Sequence, residues 1–268
     1  MNFLSPTSPQ PHRPLFCFLP GMDGTGRLLR TQQPQLAGRF DLRCLSIPPE
    51  DLSSWEMLVD RTVGLIEAEL DRHRHRDVYL CGESFGGCLA LQVALKIPHR
   101  LKRLILVNPA SSFQQRPWVQ WGSYLTHWLP SWFYPVSVAG LLPFLASLRR
   151  ITPDDRRALL EAMQSVPQKT SLWRLELLRS FHVEPRQLRQ LSLPAVVIAS
   201  GSDRLLPSVT EAQFLIRELP DAHMVVLPDS GHACLLETDV NLYAIVKDCD
   251  PDLDRATPDS ACVGIIDN

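Results

Sequence analysis

The chain has 268 residues, 45% of them hydrophobic, which suits one large globular domain or two small ones and argues against collagen, coiled coil and intrinsic disorder. Twenty-seven basic residues face 29 acidic ones, a net charge of −2, so no whole-chain positive field exists to hold a nucleic-acid backbone, and no nucleic-acid partner is expected. The seven cysteines (17, 44, 81, 88, 234, 249 and 262) are odd in number and lack CxxC spacing; this argues against a disulfide framework and a structural zinc site, so no metal or cofactor is expected and the thiols fit a reducing, cytoplasmic setting.

In chain order, residues 1–13 have no basic start and no apolar signal core, and prolines at 6, 9, 11 and 14 suit an irregular leader that does not export the chain. Leu15 to Leu19 predicts a strand, followed by the loop Pro20-Gly21-Met22-Asp23-Gly24-Thr25-Gly26. That GxxGxG run lacks the P-loop lysine and the dinucleotide spacing, so a phosphate cradle is a poor reading. Asp23-Gly24 reads above all as a turn dipeptide, with a functional carboxylate as the alternative. A second strand is predicted from Leu42 to Ile47. Trp55, Val59, Val63, Ile66 and Leu70 then recur every three or four residues, giving one buried helical stripe. Ser53 with Glu56 predicts a capping box at its start, and the basic run at 72–76 suits the negative end of the helix dipole. Further strands are predicted at Val78 to Cys81, Leu104 to Val107, Ala195 to Ala199 and Met224 to Leu227, so short apolar runs alternate with helical segments as in a mostly parallel sheet covered on both faces.

The strongest local signal is Gly82-Glu83-Ser84-Phe85-Gly86, where an apolar strand runs directly into a helical pattern. This is the context a GxSxG nucleophile elbow requires: the serine occupies a strained strand-to-helix turn, so the positions two before and two after must lack bulk. A serine hydroxyl is a weak nucleophile and needs a base, which a third group must orient. Of eight histidines, His232 follows the last strand by a short turn at the carboxyl edge of the sheet. His12, His73, His75 and His99 lie in polar surface runs, His223 is at the wrong end of a strand, and His127 and His182 fall in the segment after the fourth apolar strand. Asp203 stands just beyond the strand at 195–199, at the same edge. Asp229 is too near His232 in sequence to turn back onto it, and Asn108 cannot carry the charge. The order Ser84, Asp203, His232 is that of an α/β-hydrolase. Oxyanion donors are expected from the N–H of Phe85 and, in the loop after the first strand, of Met22.

From 111 to 193 the alternation stops and only helical or proline-broken pattern appears, which predicts a helical cap inserted between core segments 14–110 and 194–247. Residues 117–148 contain no Asp, Glu, Lys or Arg, yet four prolines make them a poor membrane span. Five of the six tryptophans (118, 121, 128, 132 and 173) lie in the cap, four of them in that charge-free stretch beside Phe133 and Tyr134. Trp118, Trp121, Trp128, Trp132 and Phe133 are candidates for an acyl-chain pocket or for peripheral docking on a lipid surface, with ordinary core packing as the alternative. Residues 248–268 are acidic and aperiodic, a loose tail by this reading.

From 15 to 246 the chain resembles the serine α/β-hydrolases, and its fold class is accordingly α/β. More narrowly, FLPGMDGTG at 18–26, GESFGGCLAL at 82–91, NPASSF at 108–113 and SGHACLLE at 230–237 are similar to the esterase half of the phytyl ester synthase and diacylglycerol acyltransferase family of plastids and cyanobacteria. The resemblance implies a triad of Ser84, Asp203 and His232 acting on an acyl lipid or acyl thioester. Plant members carry a second, glycerolipid-acyltransferase-like half with a His and an Asp separated by four residues; no such pair occurs here, and that half is not expected. The expected function is therefore a serine-dependent acyl hydrolase or acyltransferase, cytoplasmic, with the cap as a candidate for membrane contact. The alternatives are a triad-based lyase of quinone biosynthesis and a non-catalytic ligand-binding relative.

Overall fold

The structure, a computed structural model, describes residues 1–72, 77–115, 139–251 and 253. Seven strands form one sheet: β1 (Asn2–Leu4), β2 (Leu15–Leu19), β3 (Asp41–Ser46), β4 (Val78–Glu83), β5 (Arg103–Val107), β6 (Ala195–Ser200) and β7 (Ala222–Leu227). Their order is β1-β3-β2-β4-β5-β6-β7, with β1 antiparallel and every other neighbouring pair parallel. The described helices are α1 (Gln33–Ala37), α2 (Trp55–Arg72), α3 (Phe85–Lys96), α4 (Leu142–Leu145), α5 (Pro153–Gln164), α6 (Gln168–Ser180), α7 (Pro185–Arg189), α8 (Ser208–Glu218) and α9 (Leu242–Cys249).

The central strands are buried along their whole length and apolar over most of it because both faces are covered, and their alternate residues divide between two cores. Leu15, Cys17, Leu19, Leu80, Leu104, Leu106 and Val197 point to the side packed by α2, α3 and α8. Phe16, Phe18, Tyr79, Cys81, Ile105, Val107 and Ile198 point to the other, closed by α1 and α9. Each such side chain contributes about 1.5–3 kcal/mol when fully buried, so a one-residue slip of any strand would exchange the two cores at prohibitive cost. Between β5 and β6 the regular elements of the described chain are all helical, α4 to α7 among them, and a third, smaller cluster joins Leu28, Ala146, Ile151, Leu159 and Leu236. Among the described residues no helix is long and apolar enough to cross a membrane.

Three expectations need correction. The leader is not irregular throughout, because Asn2–Leu4 pairs with Ser46, Leu45 and Cys44 at the outer edge of β3, ahead of the prolines that would block a ladder. Helix α2 is capped by Ser54, whose Oγ accepts from the Met57 amide at 3.3 Å; Ser53 instead gives its amide to Asp51 at 2.8 Å and its hydroxyl accepts from Arg61, so the helix begins one residue later than the Ser53–Glu56 spacing predicts. The stretch after 247 is not loose at its start: α9 runs to Cys249, and buried Asp250 accepts from the Tyr79 hydroxyl at 2.8 Å and from Arg103 at 3.2 Å, while Leu253 is buried. The rest of the tail lies outside the described residues. Tyr79→Phe deprives the Asp250 carboxylate of a donor in a water-poor site, and the expected cost is about 1–2 kcal/mol, read as a lower denaturant midpoint at unchanged slope.

Candidate active site

In an open parallel sheet, ligands bind beyond the carboxyl ends of the strands where the strand order reverses. Here β2 has β3 on one side and β4 on the other, and the loops leaving β2 and β4 open at that point. Ser84 leaves β4 there with φ 55° and ψ −115°, a conformation that costs about 1–3 kcal/mol for a residue with a side chain and that the surroundings must enforce. They do so through the backbone. The Ser84 amide donates to Val107 at 3.0 Å, and its carbonyl accepts from Gly87 at 2.9 Å and from Ala110 at 3.1 Å. Close approach of the flanking glycines completes the turn: a Cβ on Gly82 would stand 2.2 Å from the Gly86 carbonyl oxygen, and one on Gly86 would stand 2.0 Å from that of Leu19.

The turn presents the Ser84 hydroxyl to His232, whose Nε2 lies 2.9 Å from Oγ. On the far side of the ring, Nδ1 lies 2.7 Å from Asp203 Oδ2. Asp203 is in turn anchored: Oδ1 accepts from the amides of Leu205 at 2.8 Å and Leu206 at 3.0 Å, and Oδ2 from the Ser208 hydroxyl at 2.5 Å. Burial alone would raise the Asp203 pKa, but the His232 charge and these hydrogen bonds outweigh it and hold the carboxyl below its usual range. For His232 burial opposes the charged ring most strongly; the charge and hydrogen bond of Asp203, with the Glu83 charge, together overcome it, and the imidazole is held above its ordinary value. Such a ring takes up a proton readily from a neighbouring hydroxyl and keeps one orientation while it does so.

The two expected oxyanion donors flank this chain. Phe85 opens α3 directly after Ser84, fully buried with its ring stacked on Trp55 at 4.7 Å between centroids. Met22 follows Gly21, at which a Cβ would be 3.8 Å from that of Ser84. Asp23 forms the anticipated turn, its carboxylate accepting from the Thr25 amide at 2.8 Å and hydroxyl at 2.5 Å. Of the rejected histidines, His12, His99 and His223 are exposed, and His182 is exposed beside Glu184. Asp229 is exposed and faces Arg150 instead of His232. His73, His75, His127 and the substrate candidates Trp118, Trp121, Trp128, Trp132 and Phe133 lie outside the described residues. Among those described, no cluster of His, Cys, Asp and Glu could hold a metal ion.

Three residues support this arrangement in ways the sequence did not indicate. Asn108, fully buried at φ 42°, donates from Nδ2 to the His232 carbonyl at 2.7 Å and to Ser200 Oγ at 2.9 Å, and accepts from the Ser200 amide at 2.8 Å. It therefore ties the ends of β5 and β6 to the histidine loop. Glu237 accepts from the Gly231 amide at 2.8 Å and from Arg150 at 2.6 Å, and Gln32 donates to the Leu235 and Val240 carbonyls. An apolar pattern broken by one buried polar residue was the only signal available for any of them. Glu83, next to the nucleophile, is 7% exposed; burial pushes its carboxyl up to about 8, His232 pulling the other way and Asp23 adding to the rise.

Three comparisons bear on this geometry. The hydrolase family described as serine aminopeptidase, S33, matches residues 49–239. Phytyl ester synthase 1, chloroplastic, of Arabidopsis thaliana is 32% identical over 87% of this chain, but the chain spans only 36% of that relative's length. The pimeloyl-[acyl-carrier protein] methyl ester esterase of Nitrosomonas europaea is 28% identical over 75% of this chain and 81% of its own. In fold, the chain is similar to MenH from S. aureus, with a TM-score of 0.74 at 16% identity, covering 94% of this chain and 98% of that one.

The raised Glu83 pKa makes folding pH-dependent with a definite sign. In the unfolded chain this carboxyl ionises near 4.5, whereas in the fold it keeps its proton to about 8. Stability tied to Glu83 is thus fully present below about 4.5 and lost as the pH rises to about 8. Glu83→Gln removes that slope, so the thermal midpoint of the variant is expected to fall less than that of the wild type between about pH 5 and pH 8; equal slopes would contradict the assignment. With Ser84, His232 and Asp203 hydrogen-bonded at the carboxyl edge of the sheet and a family match over 49–239, the chain belongs to the serine aminopeptidase S33 family of α/β-hydrolases.

Proposed function

We propose that the protein is a serine-dependent acyl hydrolase or acyltransferase that acts on lipid acyl esters or thioesters through an acyl-enzyme. The observation that carries this reading is the unbroken chain from Ser84 Oγ through the His232 ring to Asp203, 2.9 and 2.7 Å long, at the switch point of the sheet. Ser84 Oγ attacks the acyl carbonyl while His232 Nε2 takes its proton, and Asp203 stabilises the imidazolium through Nδ1–H. The N–H groups of Phe85 and Met22 receive the negative oxygen of the tetrahedral intermediate, each contributing about 3 kcal/mol to the barrier reduction. Collapse breaks the bond to the leaving alcohol or thiol, which departs with the proton held by His232. Water or a second alcohol then attacks the acyl-Ser84 ester, giving up its proton to His232, and the released acid or new ester restores Ser84.

Two relatives support ester chemistry by their names, a phytyl ester synthase and a methyl ester esterase, and the former points to a long-chain lipid alcohol on one side of the bond. We assign the acyl chain, and peripheral contact with a lipid surface, to the charge-free aromatic stretch around Trp118, Trp121, Trp128, Trp132 and Phe133. Flotation with lipid vesicles is expected for the wild type and is expected to be lost on joint replacement of Trp128 and Trp132 by alanine; flotation of the variant equal to that of the wild type would contradict the assignment.

Chromogenic acyl esters of graded chain length test the chemistry. Ser84→Ala is expected to lower turnover by about 10⁴-fold or more, and undiminished turnover would refute the nucleophile. Because only the neutral ring is a base, the rate should rise with pH through a midpoint above 6.5, the ordinary histidine value. Asp203→Asn is expected to shift that midpoint down and to lower kcat on the order of 10⁴-fold; an unmoved midpoint would separate Asp203 from the base.

A further inference from the structure

A guanidinium buried beside an oxyanion site can receive an anionic part of the substrate, or it can hold the site's own backbone in place. Arg174, on α6 in the segment inserted between β5 and β6, is 2% exposed. Its Nη1 donates to the Met22 carbonyl at 2.6 Å and its Nη2 to the Pro48 carbonyl at 3.2 Å. Burial pushes up the carboxyl of Asp23, the next residue along the same loop, and the Thr25 hydrogen bonds and the Arg174 charge offset part of that rise. The fit around it is close, since a Cβ on Gly24 would come within 2.8 Å of Nη1.

Why the loop needs such a partner follows from its composition. Gly21, Gly24 and Gly26 lie within six residues, and the latter two have φ +67°. Such a segment has little intrinsic preference for one shape, yet an oxyanion donor must be held within about half an ångström of its working position. The guanidinium is a planar fork that can fix two carbonyls at once. The helix that carries it is itself pinned to the core: Trp173 Nε1 donates to the Ser53 carbonyl at 3.0 Å, and Trp55 Nε1 to the Leu177 carbonyl at 2.8 Å. A rigid path therefore runs from the entry of α2 through α6 to the Met22 peptide.

We propose that Arg174 is a positioning residue that sets the Gly21-Met22-Asp23 backbone for oxyanion binding and does not contact the substrate, an inference that rests on the acyl-transfer reading above. It follows that an acyl group ending in a carboxylate gains nothing from this cation, whose two terminal nitrogens are turned to the Met22 and Pro48 carbonyls.

The test compares wild type, Arg174→Met and Arg174→Lys on two chain-matched p-nitrophenyl esters, one neutral and one ending in a carboxylate. In Arg174→Met, kcat should fall about 10²-fold on both esters while KM stays close to the wild-type value, and added guanidinium ion should restore part of kcat. Arg174→Lys should also lose kcat, because one ammonium cannot replace the fork across two carbonyls; it carries the test if Arg174→Met does not fold. An unchanged kcat in a folded variant would overturn the proposal. So would a loss confined to KM for the carboxylate-bearing ester, which would make Arg174 a substrate clamp. Wild-type turnover that survives Ser84→Ala would instead break the acyl-transfer reading itself, irrespective of how the Arg174 variants behave.

Discussion

Everything at this site depends on a steric constraint: Ser84 sits at φ 55° because two glycines let three pieces of backbone approach one another more closely than any side chain would allow. The Gly82 and Gly86 contacts lock β4, α3 and the end of β2 together, and the hydroxyl is thrust out above the sheet edge as a result. The strain is held by the hydrogen bonds of the Ser84 amide and carbonyl to β5 and α3, and by the two cores beneath them. In the proposed mechanism, a serine placed in this way exchanges conformational freedom for a fixed line of approach to an acyl carbon.

Around that serine the molecule is arranged to keep polar groups in register within dry surroundings. The side chains of Asp203, His232, Asn108, Glu237 and Gln32 are all buried, and besides one another and neighbouring hydroxyls they hold backbone groups of the surrounding loops. Low local polarity strengthens each of these hydrogen bonds and makes each loss expensive. Glu83 and Asp23 are the exceptions in the cluster, two carboxyls that burial pushes up, opposed at Asp23 by the Thr25 hydrogen bonds and the Arg174 charge, which do not cancel the rise. Asp203 is thus the carboxyl held to its charged form, and in the proposed mechanism the imidazole beside it is the group that changes protonation.

The central strands were legible in the sequence because a strand buried on both faces is a continuous apolar run, as at 15–19 and 195–199. The positions of Ser84, Asp203 and His232 were legible for a related reason: each lies a few residues past the end of a strand, and the parallel topology brings all three to one edge. What escaped was long-range and polar. Strand β1 is three residues long with only Phe3 and Leu4 to mark it, and it forms through pairing with β3 more than forty positions away. Asp250 reads as part of an acidic tail until Tyr79 and Arg103 are seen to receive it. Asn108, Glu237 and Arg174 have no periodic signature, since a side chain that satisfies a distant carbonyl or amide leaves no trace in its local pattern.

The most direct measurement is the covalent intermediate. After mixing with a slowly released acyl thioester and acid quench within the first turnover, peptide mass spectrometry is expected to find the acyl mass on the fragment containing Ser84, and to find none there in the His232→Ala protein. Turnover proceeding with Ser84 never acylated, or with the acyl group carried by a cysteine such as Cys88, would contradict a mechanism built on the strained serine.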